Sequence, residues 1–127
     1  MNKMTFNDEN IDINVEANYN DYIKIFSKDG KKEIYFNFNQ KQLDLKNMTI
    51  NEKLDIVKYL NWDTSIQTEK TYYLFDLSKD KIYLTKIDEN KYMLDVDIEN
   101  PDMIYCPLGS NESFKKLKIN AELSFEK

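Results

Sequence analysis

Apolar and polar residues alternate along most of this chain, which is the pattern of β-strands with one buried and one solvated face. Ile11, Ile13 and Val15 share one such face near the start, and residues 117–125 alternate without a break near the end. A helix over residues 113–118 could precede or shorten that last strand. The pattern predicts a fold dominated by β-sheet.

A hairpin is predicted in the first third of the chain. Residues 22–27 and 32–38 both read as strands, and Lys28-Asp29-Gly30-Lys31 separates them. Asp-Gly readily supplies the positive φ angles of a hairpin turn. We therefore expect these two strands to pair antiparallel.

The second half of the chain predicts a meander. Strands are expected over residues 71–78, 81–88 and 91–99, after a polar connection over residues 63–70. Because the turns between these three strands are short, neighbours should pair antiparallel. Residues 103–106 are expected to add a brief edge strand.

One segment changes period. Thr49-Ile50-Asn51-Glu52 has the form of a capping box, in which the Thr hydroxyl and the Glu carboxylate satisfy amides at a helix start. Apolar residues then recur at spacings of three and four, namely Ile50, Leu54, Val57 and either Leu60 or Asn61. The sequence thus predicts an α+β fold: a single domain over residues 1–127, mostly an antiparallel β-meander sheet, with one short helix at about residues 50–61 packed on one face.

Composition removes most catalytic chemistry. The 127 residues include no histidine and no arginine, and Cys106 is the single cysteine. A histidine-based triad, a histidine-ligated metal site and an arginine clamp are therefore impossible. A lone cysteine in an apolar stretch is typical of a buried, inert thiol. We expect a protein that is not an enzyme and uses no cofactor.

Two metal-site patterns were weighed and are not favoured. Asp95-Val-Asp97-Ile-Glu99 resembles part of a calcium loop, but it lacks the glycine that such a loop needs, and its apolar residues favour a strand. Glu89-Asn90-Lys91 resembles part of a nuclease motif, but Asp102 follows it rather than precedes it. No metal site is predicted.

Negative charge is concentrated in one stretch. Between Asp88 and Asp102 there are six carboxylates and one lysine, which equals the net charge of −5 of the whole chain. On a strand, Asp95, Asp97 and Glu99 would project outward in a row at intervals of about 6.6 Å. The acidic balance argues against direct binding of nucleic acid.

This acidic row is the candidate binding site. A solvated face that keeps the protein soluble is the simpler interpretation, whereas docking on a lysine- or arginine-rich protein is the functional one. The candidate partner-binding residues are Asp95, Asp97, Glu99, Asp88, Glu89, Asp102 and Trp62, the tryptophan as an apolar anchor. The expected partner is a protein with a basic surface.

In size, acidity and lack of catalytic motifs, the chain resembles bacterial immunity proteins, which block a cognate toxin; the likeness lies in composition rather than in any motif. The resemblance implies a stoichiometric inhibitor of a basic toxin such as a nuclease. The frequent use of asparagine, isoleucine, lysine and tyrosine resembles that of low-GC genomes and favours a bacterium or its phage. The start of the sequence has no signal-peptide pattern and no apolar run is long enough to cross a bilayer, so we expect a cytoplasmic protein. The expected oligomeric state is a monomer or a weak homodimer. The alternatives are a β domain that binds a small ligand and a self-assembling structural or phage accessory protein.

Overall fold

Antiparallel strands make up most of the chain, as the alternating pattern predicts. The structure is a computed structural model that describes residues 2–18, 22–38, 44–60, 65–68, 72–76, 81–99, 102–105 and 115–125. The strands of these ranges are β1 (Lys3–Phe6), β2 (Glu9–Asn18), β3 (Tyr22–Ser27), β4 (Glu33–Asn37), β5 (Lys53–Asp55), β6 (Ser65–Gln67), β7 (Tyr72–Asp76), β8 (Lys81–Asp88), β9 (Lys91–Glu99), β10 (Asp102–Tyr105) and β11 (Lys116–Leu123). A 3-10 turn, Val57–Tyr59, follows β5.

The strands form one curved sheet with the shape of a half-barrel. Their order is β10-β7-β6-β4-β3-β2-β1-β11-β9-β8-β5, and every neighbouring pair is antiparallel. In the described part of the chain, β10 and β5 are edge strands. The sheet formed by these strands therefore stays open.

The long strand β2 joins the two halves of the sheet. Its residues 9–12 pair with β1, and its residues 13–18 pair with β3. β1 pairs with one edge of the first part of β2, and β3 pairs with the opposite edge of the second part. β2 is therefore the strand at which one half of the sheet ends and the other begins. The buried faces of both halves contribute to one core.

The core confirms the alternation of the strands. In β9, Tyr92, Leu94, Val96 and Ile98 are buried, and the residues between them are partly or fully exposed. The same alternation holds in β11, β3 and β4. Strand formation here follows from burial of every second residue.

Residues 44–48 close one end of the core. Leu45 and Met48 are buried, and the buried hydroxyl of Tyr92 donates a hydrogen bond of 2.8 Å to the Leu45 carbonyl. The Tyr92 and Phe125 rings pack edge to face with their centroids 5.2 Å apart, and the centroids of Phe125 and Phe38 are 6.3 Å apart. This aromatic cluster connects the two halves of the sheet.

The predicted helix at about residues 50–61 is wrong. The described part of this segment, residues 50–60, forms the edge strand β5 and the 3-10 turn, and Asn61 lies outside the described residues. The predicted apolar stripe also fails: Ile50 is exposed, whereas Ile56, which the stripe leaves out, is fully buried.

The capping box forms only in part, and no helix follows it. Glu52 Oε1 accepts the Thr49 amide at 2.9 Å, as in a helix start. Asn51 then has a φ of +76°, which no right-handed helix contains. The Asn51 amide donates to the Lys86 carbonyl at 2.6 Å, and the Lys86 amide donates to the Glu52 carbonyl at 3.0 Å. Pairing with β8 has replaced the local helical preference.

The predicted meander is correct for β8 and β9 and wrong for β7. β8 pairs with β9 on one side and with β5 on the other. β7 pairs with β6 and β10 in the other half of the sheet. β7 and β8 are therefore consecutive in sequence but lie in different halves of the sheet.

Other strand predictions are confirmed, and two strands besides β5 were missed. β3 and β4 form the predicted hairpin with Gly30 at a φ of +77°, β10 is an edge strand, and residues 116–118 belong to β11 rather than to a helix. β1 was missed although Asn7 and Asp8 both have positive φ, the requirement of a two-residue type I′ turn. β6 was missed because it has one apolar residue, Ile66.

Asn51 gives a direct test of this segment. We expect Asn51→Ala to lower the free energy of unfolding by about 1 kcal/mol, because alanine disfavours positive φ, and Asn51→Gly to be tolerated. Urea denaturation measures both. If the segment were helical, alanine would stabilise it and glycine would not. A higher free energy of unfolding for Asn51→Ala than for Asn51→Gly would therefore contradict the turn.

The Tyr92 hydroxyl gives a test of the closed end of the core. We expect Tyr92→Phe to lower the free energy of unfolding by about 1–2 kcal/mol, because the Leu45 carbonyl loses a buried donor. Tyr83→Phe, which removes a hydroxyl from the outer face, is the matched control and should change it by less than about 0.5 kcal/mol. Equal effects of the two variants in urea denaturation would contradict a stabilising role for the hydrogen bond from Tyr92 to Leu45.

Candidate protein-binding surface

The three acids of the predicted row lie on the outer face of β9. Asp97 and Glu99 are exposed and Asp95 is partly buried, and they alternate with buried apolar residues. β9 is paired along both edges, with β11 and with β8. The carboxylates therefore project from a strand that its neighbours hold in place.

Lysines lie directly across from two of these acids. Asp97 faces Lys118 on β11 and the backbone position of Lys81 on β8, and Glu99 faces Lys116. Opposite charges at facing positions attract each other, so the field of the row is partly compensated. Among the side chains that the structure describes, which do not include that of Lys81, no salt bridge joins the three acids to a lysine. The surface is a mixed-charge face rather than a purely acidic ribbon.

Asp95 has different neighbours. It faces Asn120 on β11 and Tyr83 on β8. Tyr83 is partly exposed, and its ring lies 4.3 Å from the Lys53 ammonium. Tyrosine is among the residues enriched at protein interfaces, so Tyr83 could contact a partner beside Asp95.

The other candidate residues are separated from the row. Asp88 and Glu89 are exposed at the β8–β9 turn, about 20 Å along β9 from Asp97 at the usual strand rise. Asp102 begins β10, at the opposite edge of the sheet order. Trp62 lies outside the described residues. Acids that are close in sequence thus occupy three parts of the fold.

Two exposed isoleucines were missed as candidate site residues. Ile50 and Ile87 are the large apolar residues that the described chain leaves exposed. A signal was present in the sequence. The alternation of β8 puts a lysine, Lys86, at an inner position and an isoleucine, Ile87, at an outer one. Lys86 takes the buried position and is 7% exposed. Its ammonium donates to the Lys46 carbonyl at 3.2 Å and lies 5.9 Å from the Tyr92 ring.

An open groove lies where β2 passes from one half of the sheet to the other. Its volume is about 520 Å³, and mostly polar residues line it, among them Asp12, Asn14, Lys28 and Glu122. A ligand-binding β domain is expected to have an enclosed apolar cavity instead. This groove gives no support to the small-ligand alternative.

The β3–β4 turn beside this groove carries a perturbed carboxyl. The Ser27 hydroxyl donates to Asp29 Oδ1 at 2.7 Å and the Lys31 amide donates to it at 3.0 Å. These hydrogen bonds, the hydroxyl first, hold the pKa of Asp29 below its ordinary value of 3.8. The effect is structural, since it fixes the turn.

The described residues show neither a metal centre nor a spanning helix. No group of three or more cysteine, aspartate or glutamate side chains in these ranges is placed to hold a metal ion. Nor does any helix within them have the length and hydropathy to cross a membrane.

Comparison with known proteins identifies no relative. The chain matches no protein-family model, and searches of curated proteins and of solved structures found no match. The candidate function therefore depends on the chain's own residues.

Asp29 gives a pH test of the turn. We expect Asp29→Ala to destabilise the protein near neutral pH, where the carboxylate is ionised and accepts both bonds. Because the pKa is lowered in the folded state, this contribution is present above pH 3.8 and is lost as the pH falls through the folded-state pKa. Denaturation of both proteins over this pH range should show the difference shrinking.

The matched control for this test removes the donor. In a Ser27→Ala background, the substitution of Asp29 should have a smaller effect with a weaker pH dependence. A difference that stays constant down to pH 2 contradicts the assignment.

Proposed function

We propose that this protein is a non-enzymatic inhibitor that binds a basic protein one to one, as bacterial immunity proteins bind their toxins. The observation that carries the proposal is the outward row of Asp95, Asp97 and Glu99 on a strand paired along both edges. The backbone that carries these carboxylates is already ordered by strand pairing, so it loses little freedom on binding and more of the interaction energy remains for affinity.

The mixed charge of this face supports specificity. A partner must place basic groups opposite the acids and avoid the neighbouring Lys116 and Lys118. Like charges that meet at an interface cost several kcal/mol, on the order of 3. Tyr83 supplies an aromatic contact beside Asp95. The pattern favours one binding orientation over general attraction to basic proteins.

A nuclease toxin fits the chemistry of this partner. Enzymes that bind nucleic acid carry lysine and arginine for the phosphates. A protein that covers those residues with carboxylates competes with the substrate, and it needs no catalytic group of its own. We therefore place the protein in the cytoplasm of a bacterium, where such a toxin would act.

The self-assembly alternative rests on the open edges at β5 and β10. These strands have three and four residues, and β5 carries Lys53. Short, charged edges are features by which proteins prevent pairing between copies. A monomer is therefore the favoured state.

Neutralising the row tests the proposal. The protein encoded beside this gene, or the basic protein that copurifies with this chain, is the binding partner to use. We expect Asp95→Asn, Asp97→Asn and Glu99→Gln together to slow association about tenfold at low salt and to flatten its salt dependence. Stopped-flow mixing measures both.

The matched control makes the same change in net charge elsewhere. Glu9→Gln, Glu16→Gln and Glu33→Gln together remove three acids from β2 and β4 and should slow association less. An equal effect of both triple variants would show that net charge alone matters and would remove the row as the binding site. If the wild-type chain neither binds this protein nor protects cells from it, the inhibitor proposal is wrong.

A further inference from the structure

Ile50 and Ile87 are exposed to an extent that is unusual in this fold. They are 52% and 38% exposed, and no other large apolar side chain of the described residues exceeds them. Single exposed apolar residues are normal on protein surfaces. These two differ because backbone hydrogen bonds bring the stretches of chain next to them together.

Strand pairing fixes the position of the isoleucine pair. The Asn51 amide donates to the Lys86 carbonyl and the Lys86 amide donates to the Glu52 carbonyl, so the residues before and after these bonds are neighbours. The β8–β9 register shifts between Lys86 and Asp88, which leaves Ile87 as the extra residue of a β-bulge. Bulges redirect a side chain at a defined place on a sheet.

Three carboxylates lie within two residues of this pair along the chain. Glu52, Asp88 and Glu89 are exposed. The nearest lysines of β8 and β9 are directed elsewhere: Lys86 points into the core, and the Lys91 ammonium lies 3.6 Å from Glu122. Lys53, the residue after Glu52, has its ammonium 4.3 Å from the Tyr83 ring. We call Glu52, Asp88 and Glu89 the acidic rim of the isoleucine pair.

We propose that Ile50 and Ile87 form the apolar centre of the protein-binding surface and contact an apolar side chain of a partner whose surrounding surface is rich in lysine or arginine. This inference rests on the proposed function, and it names a second contact at the other end of β9. An interface with an apolar centre and a charged rim is the usual arrangement.

The charges also decide against a second copy of this chain as the occupant. In a symmetric dimer the same patch meets itself, so Glu52, Asp88 and Glu89 would face their own copies. Repulsion between these carboxylates opposes such a dimer, whereas a basic rim on a different protein is complementary.

Site-specific photo-crosslinking tests the contact in cells of the source organism. Benzoylphenylalanine replaces Ile50 in one variant and Ile87 in another. Tyr22 and Tyr35, which lie on the outer face of β3 and β4, are replaced in the matched controls. Mass spectrometry identifies each adduct. A second set carries Glu52→Gln, Asp88→Asn and Glu89→Gln in addition.

The expected result is one adduct from positions 50 and 87, with a protein of isoelectric point above about 9. The yield should fall about fivefold when the rim is neutralised, because association slows. Adducts of equal yield at the control positions, adducts between two copies of this chain, a yield that the rim variant leaves unchanged, or no adduct would each overturn the proposal. Thermal unfolding of each variant confirms that it is folded.

The experiment separates this inference from the proposed function. A basic protein that is inhibited but gives no adduct at positions 50 and 87 leaves the inhibitor proposal standing and removes the isoleucine contact. A basic protein that gives a rim-dependent adduct but is not inhibited supports the isoleucine contact and contradicts the inhibitor proposal.

Discussion

The fold depends on β2 pairing with different strands along its two halves. Its first four residues belong to the part of the sheet that contains β9 and β11, and the rest belong to the part that contains β3 and β4. This change of partner allows the buried faces of both parts to contribute to one core. The contacts of Phe125 with Tyr92 and with Phe38 then join the two parts.

Burial of alternate residues leaves the other positions of each strand free to carry charge. Which charges meet is then decided by strand register. Asp97 and Lys118 are 21 positions apart in sequence, and the β9–β11 pairing places them opposite each other. An acidic stretch in the sequence thus becomes a patterned surface, with acids and lysines at defined positions. Such a pattern selects a partner better than net charge does.

Several irregular positions lie together near the β5–β8 pair. Asn51 has positive φ, β8 has a bulge beside Lys86, and two isoleucines remain in solvent next to them. Departures from local rules at one place often mark a functional region. The acids of this region, Asp88 and Glu89, belong to the acidic stretch between Asp88 and Asp102.

Sequence alone determined the strands whose pattern is local. The alternation of β2, β8, β9 and β11 and the Asp-Gly turn predicted their limits closely, because a period of two and a turn residue depend only on nearby positions. It also placed Asp95, Asp97 and Glu99 on an outer face. The placement of the acids relative to lysines could not be read from it.

Only the tertiary structure decided the segment after Thr49 and the partners of each strand. The capping interaction of Glu52 with Thr49 forms as the sequence predicts, yet hydrogen bonds to Lys86, more than thirty residues away, make the segment an edge strand. The same kind of long-range pairing placed β7 in the other half of the sheet and brought Ile50 beside Ile87. Such pairings depend on which edges remain open when the core is buried, and no local pattern contains that information.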